Sequence, residues 1–279
     1  MSRTRIEITV IGILIIGVIG YAGVGLVLSA TRVSSAEHTL NTVVSHQNTL
    51  NSTFGDINSQ LDALRSGSAF NPQQALVLVD RSVSNSELAT KTINDDEASL
   101  NTASSQLEGI GWLTMVGRGS LDRETTRIGH ARNALAAART IATDEVQDGH
   151  FWHALYAGLA DLTTLNSQVG AGDLTAAKTT LATMKSDVDQ AARLSRSPGL
   201  PSELHDLMTD FQTFVGDFGQ QIDAQIAGDD ASVAMYQVSV RADQARIGAY
   251  DIDKIGTEIT AFYQPLIDSF NAEIAAATS

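Results

Sequence analysis

The sequence predicts an all-α protein: an N-terminal transmembrane helix continuing into an antiparallel helical hairpin, then an extracytoplasmic helical bundle. Three observations carry this. Apolar residues recur every three or four positions through most of the chain, the spacing of one face of a helix. Only 4 prolines interrupt 279 residues, too few breakers for a protein of many strands and turns. One uncharged apolar run, residues 8–28, is about as long as a helix needs to cross ~30 Å of hydrocarbon.

That run reads ITVIGILIIGVIGYAGVGLVL. Arg3 and Arg5 precede it, so the positive-inside rule keeps residues 1–7 in the cytoplasm and places the chain beyond Arg32 outside. The expected anchor covers residues 8–31, with the lipid bilayer as its partner and the cell membrane, single-pass, as the location. A cleaved signal peptide is the competing reading, with Ser34-Ser35-Ala36 as the cleavage region, but its apolar stretch would typically be ~7–15 residues. Gly12, Gly20 and Gly23 fall on one broad face of the span, where small residues permit close self-association.

From Val33 the apolar positions Ala36, Leu40, Val43, Leu50, Phe54, Ile57, Leu61 and Leu64 form a heptad seam, with Gln47 as its one polar member. Ser66-Gly67 and Asn71-Pro72 mark its turn. A second helix then runs to about Leu107 on a weaker seam, in which Ser86, Thr90, Glu97 and Ser104 occupy apolar places. Residues 32–108 thus read as a coiled-coil-like hairpin of two helices of similar length.

Residues 109–119 form an apolar, Gly-rich connector. If the second helix returns to the level where the first left the membrane, this connector lies at the lipid headgroups. Trp112 would then act as an interfacial anchor, with Leu113, Met115 and Val116 in the acyl boundary and Arg118 at the phosphates. Capping of the protein's own core is the other reading of the same side chains.

Residues 120–279 are expected to form the bundle. Ile128, Ala131, Leu135, Ala138 and Ala142 mark one helix, with Asp148-Gly149 either a break or a kink. The pattern resumes through Leu155, Leu159, Leu162 and Val169, and Gly172-Asp173 restarts it. Breakers cluster at residues 196–201. A helix carrying Leu204, Leu207, Phe211, Phe214, Phe218, Ile222 and Ile226 follows and ends at Gly228-Asp229. The last helix runs to the C-terminus with Ile252, Ile255, Ile259, Phe262 and Leu266 on its apolar face. The two Gly-Asp turns are alike; helix-turn chemistry alone produces such likeness, and a repeated helical hairpin is the lesser reading.

In layout the chain resembles the outer helical bundles of bacterial chemoreceptors: a short cytoplasmic start, a span, then long helices. The resemblance covers no motif. It departs at residues 271–279, which close the sequence without a second span or a signalling helix, and so argues against a receptor acting alone.

Composition narrows the chemistry. A net charge of −14 repels phosphate backbones, which excludes nucleic acid as an expected partner. With 0 cysteines, no thiolate nucleophile, disulfide or iron–sulfur ligation exists in this sequence. His150 and His153, one helical turn apart, with Asp144 and Asp148 nearby, are weak candidates for a divalent metal. The His-Glu-x-x-His, Gly-x-Ser-x-Gly and phosphate-loop patterns are missing. The expectation is no cofactor, no catalytic residue and no enzyme. The leading reading is a membrane-anchored interaction or scaffold module of the cell envelope, with protein partners or self-association. A sensor-like domain binding a small ligand near Phe211, Phe214 or Trp152 is the alternative, and a metal-dependent enzyme is the remote one.

Overall fold

The computed structural model describes residues 38–43, 45–46, 71–108 and 118–279, and among these all regular structure is α-helical. Residues 38–43 and 45–46 are helical. Six helices follow: α1 (Pro72–Glu108), α2 (Arg118–Ala171), α3 (Leu174–Leu194), α4 (Ser202–Ala227), α5 (Asp230–Ile247) and α6 (Ile252–Thr278). No helix among the described residues is long and apolar enough to cross a membrane. The expected span, residues 8–31 with Gly12, Gly20 and Gly23, lies outside them, as do Trp112, Leu113, Met115 and Val116 of the connector.

Local chemistry sets the helix ends. Asn71 Oδ1 accepts from the backbone N–H groups of Gln73 and Gln74, and Pro72 takes the first helical position, where its missing N–H costs nothing. The two Gly-Asp turns are built alike. Gly172 (φ 79°) and Gly228 (φ 70°) adopt the left-handed conformation that a side chain would strain. The N–H of Asp173 reaches Gln168 O at 3.0 Å, and that of Asp229 reaches Ala224 O at 3.0 Å. Each aspartate then caps the next helix, accepting from Ala176 N and Ser232 N.

Several expected boundaries move. α2 passes through Gly149 unbroken and begins at Arg118, two residues inside the expected connector. A glycine costs a helix only ~1 kcal/mol, less than the burial of Phe151, Trp152 and Leu155 beside it contributes. The expected last helix is two, α5 and α6, separated at Gly248–Asp251. Asp251 Oδ1 accepts from Lys254 N, so the second begins with its own cap.

The chain divides into two compact units. The first holds residues 147–260 together with residues 72–81 of α1, and the second holds residues 82–146 and 261–279 with the helical stretch at 38–46.

In the first unit, α3 and α4 run antiparallel. Lys178 Nζ meets Asp223 Oδ1 at 2.6 Å, and Gln212 Nε2 donates to Asp189 Oδ1 at 2.7 Å. Leu204, Leu207, Phe211, Phe214, Phe218 and Ile222 are buried, so the predicted stripe of α4 is core. Each such side chain contributes about 1.5–3 kcal/mol. Ile226, the stripe's last member, is exposed instead.

In the second unit, α1 and α2 run antiparallel. Ser86 Oγ donates to Glu145 Oε2 at 3.1 Å, and Arg139 pairs with Glu97. Two of the polar seam residues of α1, Ser86 and Glu97, are therefore matched by polar groups on α2, while Thr90 donates to Ser86 O within its own helix. Ile93 and Leu100 fill the places between them. Leu40 and Val43 of the predicted first seam are buried, and His46 Nδ1 lies 2.9 Å from Asp96 Oδ1 on α1. α6 lies antiparallel to α2, with Arg127 Nε donating to Ala277 O at 2.7 Å. Its buried face runs through Tyr263, Phe270, Ile274 and Ala277, while Phe262, expected inside, is exposed.

Candidate functional site

Three polar clusters could carry chemistry. All three lie in the first unit.

The first joins α1, α2 and α3. Gly158 lets α3 come close: a Cβ there would stand 3.2 Å from Val188 Cγ2 and 3.9 Å from Asp187 Cβ. Around this approach His153 Nε2 lies 3.4 Å from Asp80 Oδ1. Burial pushes the Asp187 carboxyl above its ordinary value, partly offset by His153. Burial and then the charge of Asp187 push up Asp161 in the same way. Such a patch holds a proton more readily than an isolated carboxylate does.

Of the four metal candidates, His153 belongs to it and His150 and Asp148 do not share a face. At ~100° per residue, His150 points ~200° away from Asp148 around α2. Accordingly Asp144 and Asp148 are buried and His150 is exposed. Among the described residues no three His, Asp or Glu side chains are grouped as metal ligands. Burial raises the Asp144 carboxyl, which lies in the second unit.

The second cluster was not legible in the sequence. Ser195 closes α3 and lies 3.0 Å, Oγ to Nδ1, from His205 on α4. A serine beside a histidine suggests a nucleophile and its base, but the polarity runs the other way. Arg196 Nη2 stands 2.9 Å from His205 Nε2, and an arginine can only donate. That nitrogen is therefore the acceptor, and Nδ1 carries the proton and donates to Ser195 Oγ. The serine in turn donates to Ala192 O at 2.9 Å. A base must have its lone pair free toward the nucleophile; here the chain of donors fixes the α3–α4 turn instead. Ser195 is 1% exposed, closed to a substrate.

The third cluster lies between α4 and α5. Asp243 is 2% exposed, and Arg246 Nη2 reaches its Oδ1 at 2.5 Å. Arg246 Nε also stands 3.3 Å from Asp210 Oδ1, and Tyr250 donates to Asp210 Oδ2 at 2.9 Å. Burial raises the Asp243 carboxyl; Arg246 opposes this, and the charges of Asp217 and Asp210 add to it. Tyr250 is pushed up to about 12, chiefly by burial and then by its bond to Asp210. Two carboxyls thus share one guanidinium, with Asp217 acting on the buried one. Their spacing along two helices, one of them unforeseen, gave no sequence signal.

The aromatic candidates are core. Trp152 is 2% exposed, with its ring edge-on to Phe151 at 4.8 Å and tilted against Tyr156 at 6.0 Å. Phe211 and Phe214 stack at 5.8 Å, and Phe218 is tilted against Phe214 at 5.7 Å. Their faces are occupied by one another, the arrangement favoured inside a core. Arg118 is the first residue of α2.

No protein-family model matches this chain, and no curated protein or solved structure matches it either. The described residues define an all-α protein of two helical units whose polar clusters join helix to helix.

Proposed function

We propose that the chain is a membrane-anchored interaction or scaffold module, held by residues 8–31 and presenting its helices outside the cytoplasm. One observation supports this most: the side chains that resemble chemistry are engaged in holding helices together. His46 pairs with Asp96, His130 with Glu273, His153 with Asp80, and His205 with Ser195 and Arg196. What such a protein offers outward is helical surface. The apolar run at residues 8–28 and the arginines before it support the tether.

The test uses the full chain in intact cells. It should stay with the membrane after alkaline extraction, and protease added outside, once outer wall layers are removed, should digest the region beyond Arg32. Chemical crosslinking should yield a discrete adduct with a second protein or a second copy. Release by alkali, protection from protease, or a chain that crosslinks to nothing would each overturn a part of the reading.

A further inference from the structure

α5 has two apolar faces. Turned toward α4 are Val233, Tyr236, Val240 and Ile247, all buried or half-buried. Diametrically opposite, ~180° away at ~100° per residue, lie Ala231, Met235, Val238, Ala242 and Ala245. Their steps are four, three, four and three, the a/d spacing of a coiled-coil seam. All five are exposed, Met235 by 55% and Val238 by 66%. A helix apolar on both sides is normally covered on both. No described residue covers this one.

The flanks of the stripe identify what fits. Arg241 lies beside it on one edge and Arg246 on the other, at the g and e positions of the heptad. Arg241 has no ion pair among the described residues; Arg246 is half exposed and already serves Asp243 and Asp210. A second copy is a poor occupant. Set parallel it would bring Arg241 against Arg246, and set antiparallel it would bring Arg241 against its own counterpart, like charges in both cases. A helix with carboxylates at e and g meets neither objection. The chain's overall negative charge does not forbid it, because charges beyond ~8 Å are largely screened at physiological salt.

We propose that the outer face of α5 is a docking seam for an acidic amphipathic helix of another protein, its apolar face on Met235 and Val238 and its carboxylates on Arg241 and Arg246. This rests on the interaction reading above and names the surface and the chemistry of its partner.

The probe is a synthetic three-heptad peptide with Leu at a and d and Glu at e and g. Its twin carries Lys at e and g. The protein is the full chain in detergent micelles. The acidic peptide should bind, the basic twin at least tenfold more weakly. Met235→Asp, at an exposed position, should lower acidic-peptide affinity at least tenfold while the helical circular-dichroism melt stays unchanged. Arg241→Glu should shift the preference toward the basic twin. No binding, equal binding of both peptides, or binding indifferent to Met235→Asp would overturn the proposal. A concentration-dependent dimer in sedimentation that Met235→Asp dissolves would overturn it in favour of a second copy. If the cellular crosslinked adduct survives Met235→Asp, the seam is wrong and the interaction reading stands; if no adduct forms with the wild type, that reading fails by itself.

Discussion

His130 on α2 and Glu273 on α6 meet at 2.7 Å between Nδ1 and Oε2, across 143 residues of sequence. Asn133 Nδ2 approaches the same oxygen at 3.4 Å. The hydrogen bond from His130 holds the Glu273 carboxyl below its ordinary value. A depressed carboxylate contributes stability above its unfolded pKa and loses it as pH falls through its folded one. Glu273→Gln should therefore cost little, within the ~0–1 kcal/mol of solvent-exposed pairs. It should also lessen the loss of stability on acidification below about pH 4.3. Urea midpoints measured from pH 3 to 7 check this; parallel curves for the two proteins would contradict it.

Asp243 has the opposite sign. Its carboxyl is raised, chiefly by burial, so its contribution is complete below the unfolded value of about 3.9 and is lost as pH rises through the folded one. Asp144, Asp161 and Asp187 shift the same way, so the comparison must be with a variant. Wild type minus Asp243→Asn should fall in stability from pH 4 upward. A difference independent of pH, again by urea midpoints, would mean Asp243 titrates alike in folded and unfolded chains.

Two glycines on α4 should respond in opposite directions. A Cβ at Gly216 meets nothing within 4 Å, so Gly216→Ala should stabilise by about 0.5–1 kcal/mol through helix propensity alone. A Cβ at Gly219 would stand 3.0 Å from Leu181 Cδ2. Gly219→Val adds further atoms at that contact and should cost about 1–3 kcal/mol. Thermal melts of both variants decide it, and a stabilising Gly219→Val would place α3 further away.

Phe214 lies between Phe211 and Phe218 and is 2% exposed. Phe214→Ala should destabilise by about 3–5 kcal/mol. A loss below 1 kcal/mol in denaturant titration would mean that the stack forms no shared core.

The sequence by itself determined the helical class, the Gly-Asp turns and most apolar stripes. Each rests on neighbours within a few residues: an Asp caps the N–H three positions on, and a Leu repeats every turn. The stripe of α4 held from Leu204 to Ile222 for that reason. Only tertiary structure decided what local spacing leaves open. It chose Tyr263 over Phe262 for burial on α6, because a partner helix selects one of two adjacent positions. It carried α2 through Gly149, because packing outweighs one glycine. It gave the polar seam positions Ser86 and Glu97 their partners on α2, 59 and 42 residues away. It also turned Ser195 and His205 into a helix-end brace, because the direction of a hydrogen bond depends on Arg196 standing at the far nitrogen. Periodicity tells which face of a helix is apolar; only the neighbouring helices decide which atoms meet there and which of them keep a proton.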